Sequence, residues 1–100
     1  SLQFLIMALT ESTKIDLIEV VGDTKQVHIR KANIIKRDDV QIAKRHSRYV
    51  LDCGTLDASD NLVDRDISGE PTDVQAICNA VWTADVKAAW KANLIANKPA

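Results

Sequence analysis

The amino-acid sequence predicts an α+β fold in which a strongly bent antiparallel β-meander, curled into a small barrel, precedes two C-terminal helices. Three observations indicate this order. Apolar and polar residues alternate with period two over the first half of the chain, turn-forming residues separate the alternating segments, and apolar residues recur at helical spacing over the last third. A chain of 100 residues is long enough to form one domain with a single core.

Three segments of the first half have the pattern expected of β-strands. In each of them apolar residues alternate with polar or charged ones, and β-branched side chains are frequent, which favours extended structure over a helix. Together they form the predicted β-meander over residues 13–51, with strands at 13–21, 26–36 and 40–51.

Tight turns and two irregularities shape the predicted meander. Gly22-Asp23 and Arg37-Asp38-Asp39 separate the strands and supply residues typical of hairpin turns. The apolar phase slips by one residue at Ile18 in the first strand and at Arg30-Lys31 in the second. Such a slip indicates a bulge or a bend, and strong bending curls a small sheet toward a barrel.

A polar, acidic link over residues 52–70 follows the meander. Glycine, serine, asparagine and aspartate are frequent in it, a composition typical of loops. Residues 61–67 could form a short additional strand within this link.

Two consecutive helices are predicted over residues 71–96, at about 71–82 and 84–96. Pro71 suits the first turn of a helix, and Thr83 is a good N-cap for the second. The first helix has one apolar stripe at helical spacing, which consists of Val74, Ile77, Cys78 and Val81.

The second predicted helix contains the aromatic residue that we expect to be buried. Val86, Trp90 and Leu94 repeat every four residues and form a stripe that is expected to pack on the sheet. Trp82 precedes Trp90 by eight residues and would share its face on a continuous helix, but a corner at Thr83 would break that relation.

The sequence divides into an N-terminal extension, 1–12, and a single α+β domain, 13–100. Met7 is the only methionine, so a natural start there would make Ser1–Ile6 an upstream extension; the alternative is that Ser1 follows a removed methionine or tag. No apolar run approaches the roughly 20 residues of a membrane span, so we expect no membrane partner.

Charge is distributed very unevenly along the chain. Residues 25–48 hold eight of the 13 basic residues and only two acids, whereas residues 52–73 hold seven acids and one arginine. A basic face on two strands could bind single-stranded RNA or an acidic protein. Alternatively, it pairs with the acidic link. The residues assigned to this face are Arg30, Lys44, His46 and Arg48.

The motifs that carry catalysis and cofactor binding are missing from the sequence. Three isolated glycines cannot form a phosphate loop or a dinucleotide fingerprint, and no Gly-x-Ser-x-Gly elbow occurs. His28, His46, Cys53 and Cys78 lie at spacings that match no zinc-ligand pattern. We therefore predict no enzyme activity, no cofactor and no metal, and we expect the two cysteines to be buried reduced thiols.

Two fragments resemble Sm/LSm-like proteins. The run from Ile15-Asp16-Leu17 through Gly22-Asp23 is similar to their first hairpin, and residues 56–63, Leu-Asp-Ala-Ser-Asp-Asn-Leu-Val, are similar to their Asp-x-x-x-Asn loop and the strand after it. The resemblance implies a small bent barrel. It also implies that Asp57 and Asn61 help to hold an RNA base.

A second resemblance concerns the whole chain. The methionine at position 7, the short meander and the ending Val-Gln-Ala-Ile-Cys-Asn-Ala-Val-Trp-Thr over residues 74–83 resemble short proteins of tailed marine phages. This resemblance implies a role in the virion or in its assembly, and it carries no activity.

These observations predict a non-enzymatic, self-assembling module that is Sm-like in shape and forms homo-oligomers. It would bind RNA or an acidic partner through its basic sheet face. The alternative is a phage-type virion or tail-assembly protein with no nucleic-acid ligand. In either case we expect a cytoplasmic protein, in the host cytoplasm or in the virion if a phage encodes it.

Overall fold

The computed structural model describes residues 8–99, and the fold over these residues is α+β. It contains a three-stranded antiparallel sheet in the order β1-β2-β3, a two-stranded antiparallel sheet of β4 and β5, and two helices. The predictions about Met7 and Ser1–Ile6 concern residues outside the described range. The elements are β1 (Leu9–Val21), β2 (Gln26–Arg37), β3 (Val40–Leu51), β4 (Gly54–Leu56), β5 (Leu62–Asp64), α1 (Thr72–Val81) and α2 (Ala84–Ala96).

The three predicted strands of the meander are confirmed, with two changes of boundary, of which the smaller is that β2 ends at Arg37, one residue beyond the prediction. β1 begins at Leu9, four residues before the predicted start, and therefore includes part of the predicted N-terminal extension. Over residues 8–99 no closed barrel is seen, because β1 and β3 each have only β2 as a neighbour. β1 and β3 are therefore the two edges of this sheet.

The described residues form two compact units, which we treat separately. Unit 1 comprises residues 8–18 and Ile29–Tyr49, and unit 2 comprises Glu19–His28 and residues 50–99. The three long strands contribute residues to both units, whereas β4, β5 and both helices belong to unit 2.

The phase slip predicted in β2 is visible in its buried positions. Val27 and Ile29 are fully buried at alternate positions, but the next buried residue is Ala32, three positions later. A regular strand would bury position 31 instead, so the side-chain phase changes at Arg30-Lys31 as predicted.

The turn between β2 and β3 is a strained two-residue hairpin turn. Asp38 and Asp39 both have positive φ, at 50° and 65°. Positive φ at both central residues is the geometry of a type I′ turn, for which Asn-Gly or Asp-Gly is the preferred sequence. Aspartate adopts this region more readily than most residues, but at a cost that glycine avoids.

Replacing Asp39 by glycine should therefore stabilise the protein. We expect the free energy of unfolding to rise by a few tenths to about 1 kcal/mol, because glycine removes the strain at the second turn position. Urea unfolding measures the change. Asp39→Ala is the matched control and should destabilise, since alanine has no favourable left-handed conformation; a lower urea midpoint for Asp39→Gly would contradict the assigned turn.

The core of unit 2 is small and includes both cysteines. Its buried residues are Val27, Cys53, Val74, Cys78 and Trp82. Both cysteines are free, as predicted, and burial raises the pKa of each thiol above its ordinary value. The thiols are therefore kept in the unreactive protonated form.

Trp82 is the buried tryptophan, and the predicted burial of Trp90 is met only in part. Trp82 follows α1 directly and is 8% exposed, and its indole Nε1–H donates to the carbonyl oxygen of Lys25 at 2.8 Å. Trp90 is only half-buried. Its Nε1–H donates to the carbonyl oxygen of Gly54 at 2.8 Å, so its helix packs on the short strand β4.

Both helix starts lie close to their predicted positions. Pro71, predicted to lie in the first turn, occupies the N-cap position instead, and α1 begins one residue later at Thr72. The Oγ1 of Thr83 accepts the backbone N–H of Val86 at 3.3 Å, which confirms Thr83 as the N-cap of α2. In residues 8–99 neither helix has the length and apolar character needed to cross a membrane.

The acidic link contains a small hairpin of two strands, and the sequence predicts only the second of them. Leu62–Asp64 lies inside the predicted strand at 61–67 and pairs with Gly54–Leu56, which was not predicted. Gly54-Thr55-Leu56 is too short for an alternation pattern and begins with glycine, so its extended structure depends on its partner strand.

Candidate interaction surface on the three-stranded sheet

An acidic residue joins two of the predicted basic residues in unit 1. The carboxylate of Asp16, on β1, accepts from Arg30 Nε on β2 at 2.9 Å through Oδ1. Its second oxygen, Oδ2, lies 3.3 Å from His46 Nε2 on β3. One carboxylate thus connects side chains from all three strands, and the contact with His46 is an ion pair when the imidazole is protonated.

The electrostatics of this cluster favour the charged form of its acid. The hydrogen bond from Arg30, followed by the positive charges of Arg30, His46 and Lys44, holds the pKa of Asp16 below its ordinary value, although partial burial opposes this effect. The same hydrogen bond raises the pKa of Arg30. Part of the predicted basic face is therefore neutralised by a residue of the sheet itself.

The structure brings Arg30, Lys44 and His46 together around Asp16, as their predicted common face requires. Lys44 is exposed and acts on Asp16 only through its charge. Arg48 lies farther along β3, is also exposed, and has no ion pair within the described part of the chain. Of the four basic candidates, Lys44 and Arg48 are thus the two that can offer their charge to a partner.

Among residues 8–99, the aromatic residue near this face, Tyr49, is already in contact with a cation. The Nζ of Lys31 lies 5.3 Å from the centre of the Tyr49 ring, a cation–π distance. Tyr49 is also partly buried. A surface that stacks RNA bases uses several accessible aromatic rings, whereas the Tyr49 ring is covered by Lys31 and partly buried.

Asp57 and Asn61, the two residues implied by the Sm-like resemblance, lie in unit 2, in the turn between β4 and β5. Asp57 Oδ1 accepts the backbone N–H groups of Ser59 and Asn61, each at 2.9 Å. The hydrogen bond from the Asn61 backbone is the largest cause that holds the pKa of Asp57 below its ordinary value. Here the carboxylate closes a hairpin turn, with Asp60 at a positive φ of 61°.

The acidic link is partly neutralised by basic residues of unit 2. Asp52 pairs with Arg65 at 2.7 Å, Asp60 with Lys98 at 2.7 Å and Asp64 with Lys87 at 3.2 Å. These pairs use three of the five basic residues in unit 2. Three acids of the link therefore have local counter-charges within unit 2, just as Arg30 and His46 have Asp16.

The outer strand of the sheet is exposed along most of its length. All residues from 40 to 48 of β3 are exposed, and among them Val40 and Ile42 are 64% and 51% exposed. Leu9, at the start of β1, is 58% exposed. The hydrogen bond from the Asp38 backbone N–H to the Ala8 carbonyl at 3.0 Å places the start of β1 near the β2–β3 turn.

Metal-ligand chemistry gives no alternative site in this part of the molecule. Among residues 8–99, no group of three or more His, Cys, Asp or Glu side chains is placed to hold a metal ion.

Sequence reasoning missed the role of Asp16. The basic residues were recognised from their spacing along β2 and β3, but Asp16 was treated only as a polar residue of an alternating strand. No sequence signal could have found it, because strand alternation places Asp16 on the face opposite to Ile15 and Leu17. Which partner it has depends on strand pairing.

Comparisons of this chain with protein-family models, with curated proteins and with solved structures found no match.

Proposed function

We propose that this protein is a non-enzymatic structural subunit that assembles with copies of itself through the exposed strands of unit 1. The observation that carries the proposal is β3, a 12-residue edge strand whose residues 40–48 are all exposed and include Val40 and Ile42. A long exposed edge strand offers unpaired backbone N–H and C=O groups to a further strand, and Val40 and Ile42 add apolar surface at its start.

The length of the strands supports an assembly of several copies over a monomer. β1, β2 and β3 have 13, 12 and 12 residues, longer than the 3–10 residues usual for strands in globular proteins. Fully buried side chains occur in β2 but not in β1 or β3. A second copy would bury the apolar side chains that are exposed on β1 and β3. Closure into a barrel-like ring would then be a property of the assembly.

The contacts of the predicted RNA-binding residues favour self-assembly over RNA binding. Arg30 and His46 bind Asp16, and Asp57 is used by backbone amides of its own turn. A phage-type virion or tail-assembly role is one form that such a subunit would take. Binding of single-stranded RNA through Lys44, Arg48 and Asn61 remains the competing prediction, and the same experiment distinguishes the two.

The experiment measures native mass in solution with and without a single-stranded RNA oligonucleotide. At tens of micromolar protein we expect a species of several times 11.0 kDa, unchanged by the oligonucleotide. The double variant Val40→Thr, Ile42→Thr should raise the dissociation constant at least tenfold, because it removes apolar surface while retaining β-branched residues.

Gln41→Thr is the matched control, since it changes an exposed residue of the same strand without removing apolar surface. It should assemble like the wild type. A wild-type protein that stays monomeric at these concentrations would refute the proposal. A complex with RNA that dissociates steeply as salt increases would favour the nucleic-acid function instead.

A further inference from the structure

The two compact units carry opposite net charge. Unit 1 has eight basic and four acidic residues, a formal charge of +4, whereas unit 2 has five basic and ten acidic residues, a formal charge of -5. The net charge of the whole chain, -1, conceals this separation. Two copies of such a chain attract each other when unit 1 of one meets unit 2 of the other.

The excess charge of unit 1 is exposed and unpaired. Five basic residues near the end of β2 and along β3 are exposed and have no ion pair within residues 8–99. We call them the basic set. They flank the exposed side chains of Val40 and Ile42, so apolar and basic groups occur on the same strand. The basic set consists of Lys36, Arg37, Lys44, Arg45 and Arg48.

The excess charge of unit 2 is also exposed. After the pairs of Asp52, Asp60 and Asp64 are removed, three exposed acids without an ion pair in the described chain remain in the segment that leads into α1 and in the two helices. The backbone N–H of Ser68 holds the pKa of one of them, Asp66, below its ordinary value, so it stays charged. This acidic set consists of Asp66, Asp73 and Asp85.

We infer that the protein assembles head to tail, with the basic set of one copy bound to the acidic set of the next. The inference rests on the self-assembly proposed above and adds which surface of one copy contacts which surface of the next. Contact between two copies of unit 1 would bring +4 against +4, and contact between two copies of unit 2 would bring -5 against -5. Only the mixed contact joins opposite charges. Made once between each pair of copies, it joins two different surfaces and propagates into a ring or a filament.

The first test is the salt dependence of the wild-type assembly. The Debye length falls from about 10 Å at 0.1 M salt to about 3 Å at 1 M, so a contact between exposed charges should weaken steeply over this range. We expect the native mass to fall toward 11.0 kDa as sodium chloride is raised. An assembly whose mass is unchanged at 1 M salt would overturn the inference, because burial of apolar surface alone is not weakened by salt.

The second test uses two charge-reversed variants. The first carries Lys44→Glu, Arg45→Glu and Arg48→Glu, and the second carries Asp66→Lys, Asp73→Lys and Asp85→Lys. Each alone presents like charges on both surfaces, so each should raise the dissociation constant at least tenfold. An equimolar mixture restores opposite charges at every contact and should assemble as the wild type does.

Controls that conserve charge use the same positions. Lys44→Arg, Arg45→Lys and Arg48→Lys, or glutamate at the three acidic positions, should leave the assembly intact. If a reversed variant does not fold, as judged by circular dichroism, glutamine at the basic positions and asparagine at the acidic ones provide milder versions. Asparagine retains the side-chain oxygen that Asp66 and Asp73 offer to the backbone.

The outcomes distinguish failure of the head-to-tail inference from failure of the self-assembly proposal. If the variant with lysine at positions 66, 73 and 85 assembles like the wild type, contact is made through unit 1 alone. That result would overturn the head-to-tail arrangement, while the proposed function would stand. A wild-type chain that is monomeric at every salt concentration would refute both. Mutual rescue of the two variants, absent in either alone, is the result expected from head-to-tail contact.

Discussion

Replacing Trp82 by alanine should lower the free energy of unfolding by about 3–5 kcal/mol, the usual cost of deleting a buried aromatic side chain. Trp82 is one of the few buried residues of unit 2, and its indole donates a hydrogen bond to Lys25. Truncation would leave a cavity in the small core of unit 2 and remove the hydrogen bond to the Lys25 carbonyl. Since small domains are stable by about 5–15 kcal/mol, this loss is a large fraction of the total.

Comparing the stability losses of Trp82 and Trp90 variants tests whether Trp82 is the more deeply buried of the two. Urea unfolding of Trp82→Ala, Trp82→Phe and Trp90→Ala should rank the losses in a definite order. Phenylalanine retains most of the buried surface and loses the hydrogen bond, at about 1–2 kcal/mol. Trp90 is half-buried, so its alanine variant should lose about 2 kcal/mol. A larger loss for Trp90→Ala than for Trp82→Ala would contradict the described packing of the helices.

Replacing Gly54 by alanine should destabilise the protein by about 3 kcal/mol or more, near the upper end of the cost of overpacking. A Cβ atom at this position would lie 2.3 Å from the carbonyl oxygen of Val63. This oxygen belongs to the backbone of β5, which pairs with β4, so the clash cannot be relieved by rotating a side chain. The carbonyl of Gly54 also accepts from Trp90, so a shift of β4 would disturb α2.

Gly69→Ala is the matched control for this substitution. No atom lies within 4 Å of a Cβ built at Gly69, and its φ is not in the left-handed region. The free energy of unfolding should therefore stay the same or rise by a few tenths of a kcal/mol, because alanine restricts the unfolded chain. Equal thermal midpoints for the two alanine variants would show that β4 and β5 do not pair as described.

Much of the local structure could be predicted from the sequence because it depends on neighbouring residues. Strand alternation, the turns at Gly22-Asp23 and Asp38-Asp39, and the cap at Thr83 are all local patterns, and the structure contains the predicted strands, turns and helices. The phase slip at Arg30-Lys31 is also local, since it follows from the order of side chains along β2. Strand ends are not local in this sense: β1 begins at Leu9, four residues before its apolar pattern does.

The contacts between distant segments could not be predicted in the same way. The Asp16 carboxylate meets Arg30 and His46 only because the three strands pair in one register. β4 has too few residues for a pattern of its own and is extended because β5 pairs with it. The choice between Trp82 and Trp90 depended on where the C-terminus of α1 lies relative to Lys25, which is 57 residues away in sequence.

The sequence by itself determined the α+β class, the order of the elements and the separation of charge between residues 25–48 and 52–73. These properties are set by side-chain periodicity and composition, which need no knowledge of distant contacts. Only the tertiary structure decided which charges neutralise one another, which tryptophan is buried and that β3 is an exposed edge. The physical reason is that pairing and burial depend on distances between segments far apart in the chain, and these distances exist only once the backbone is folded.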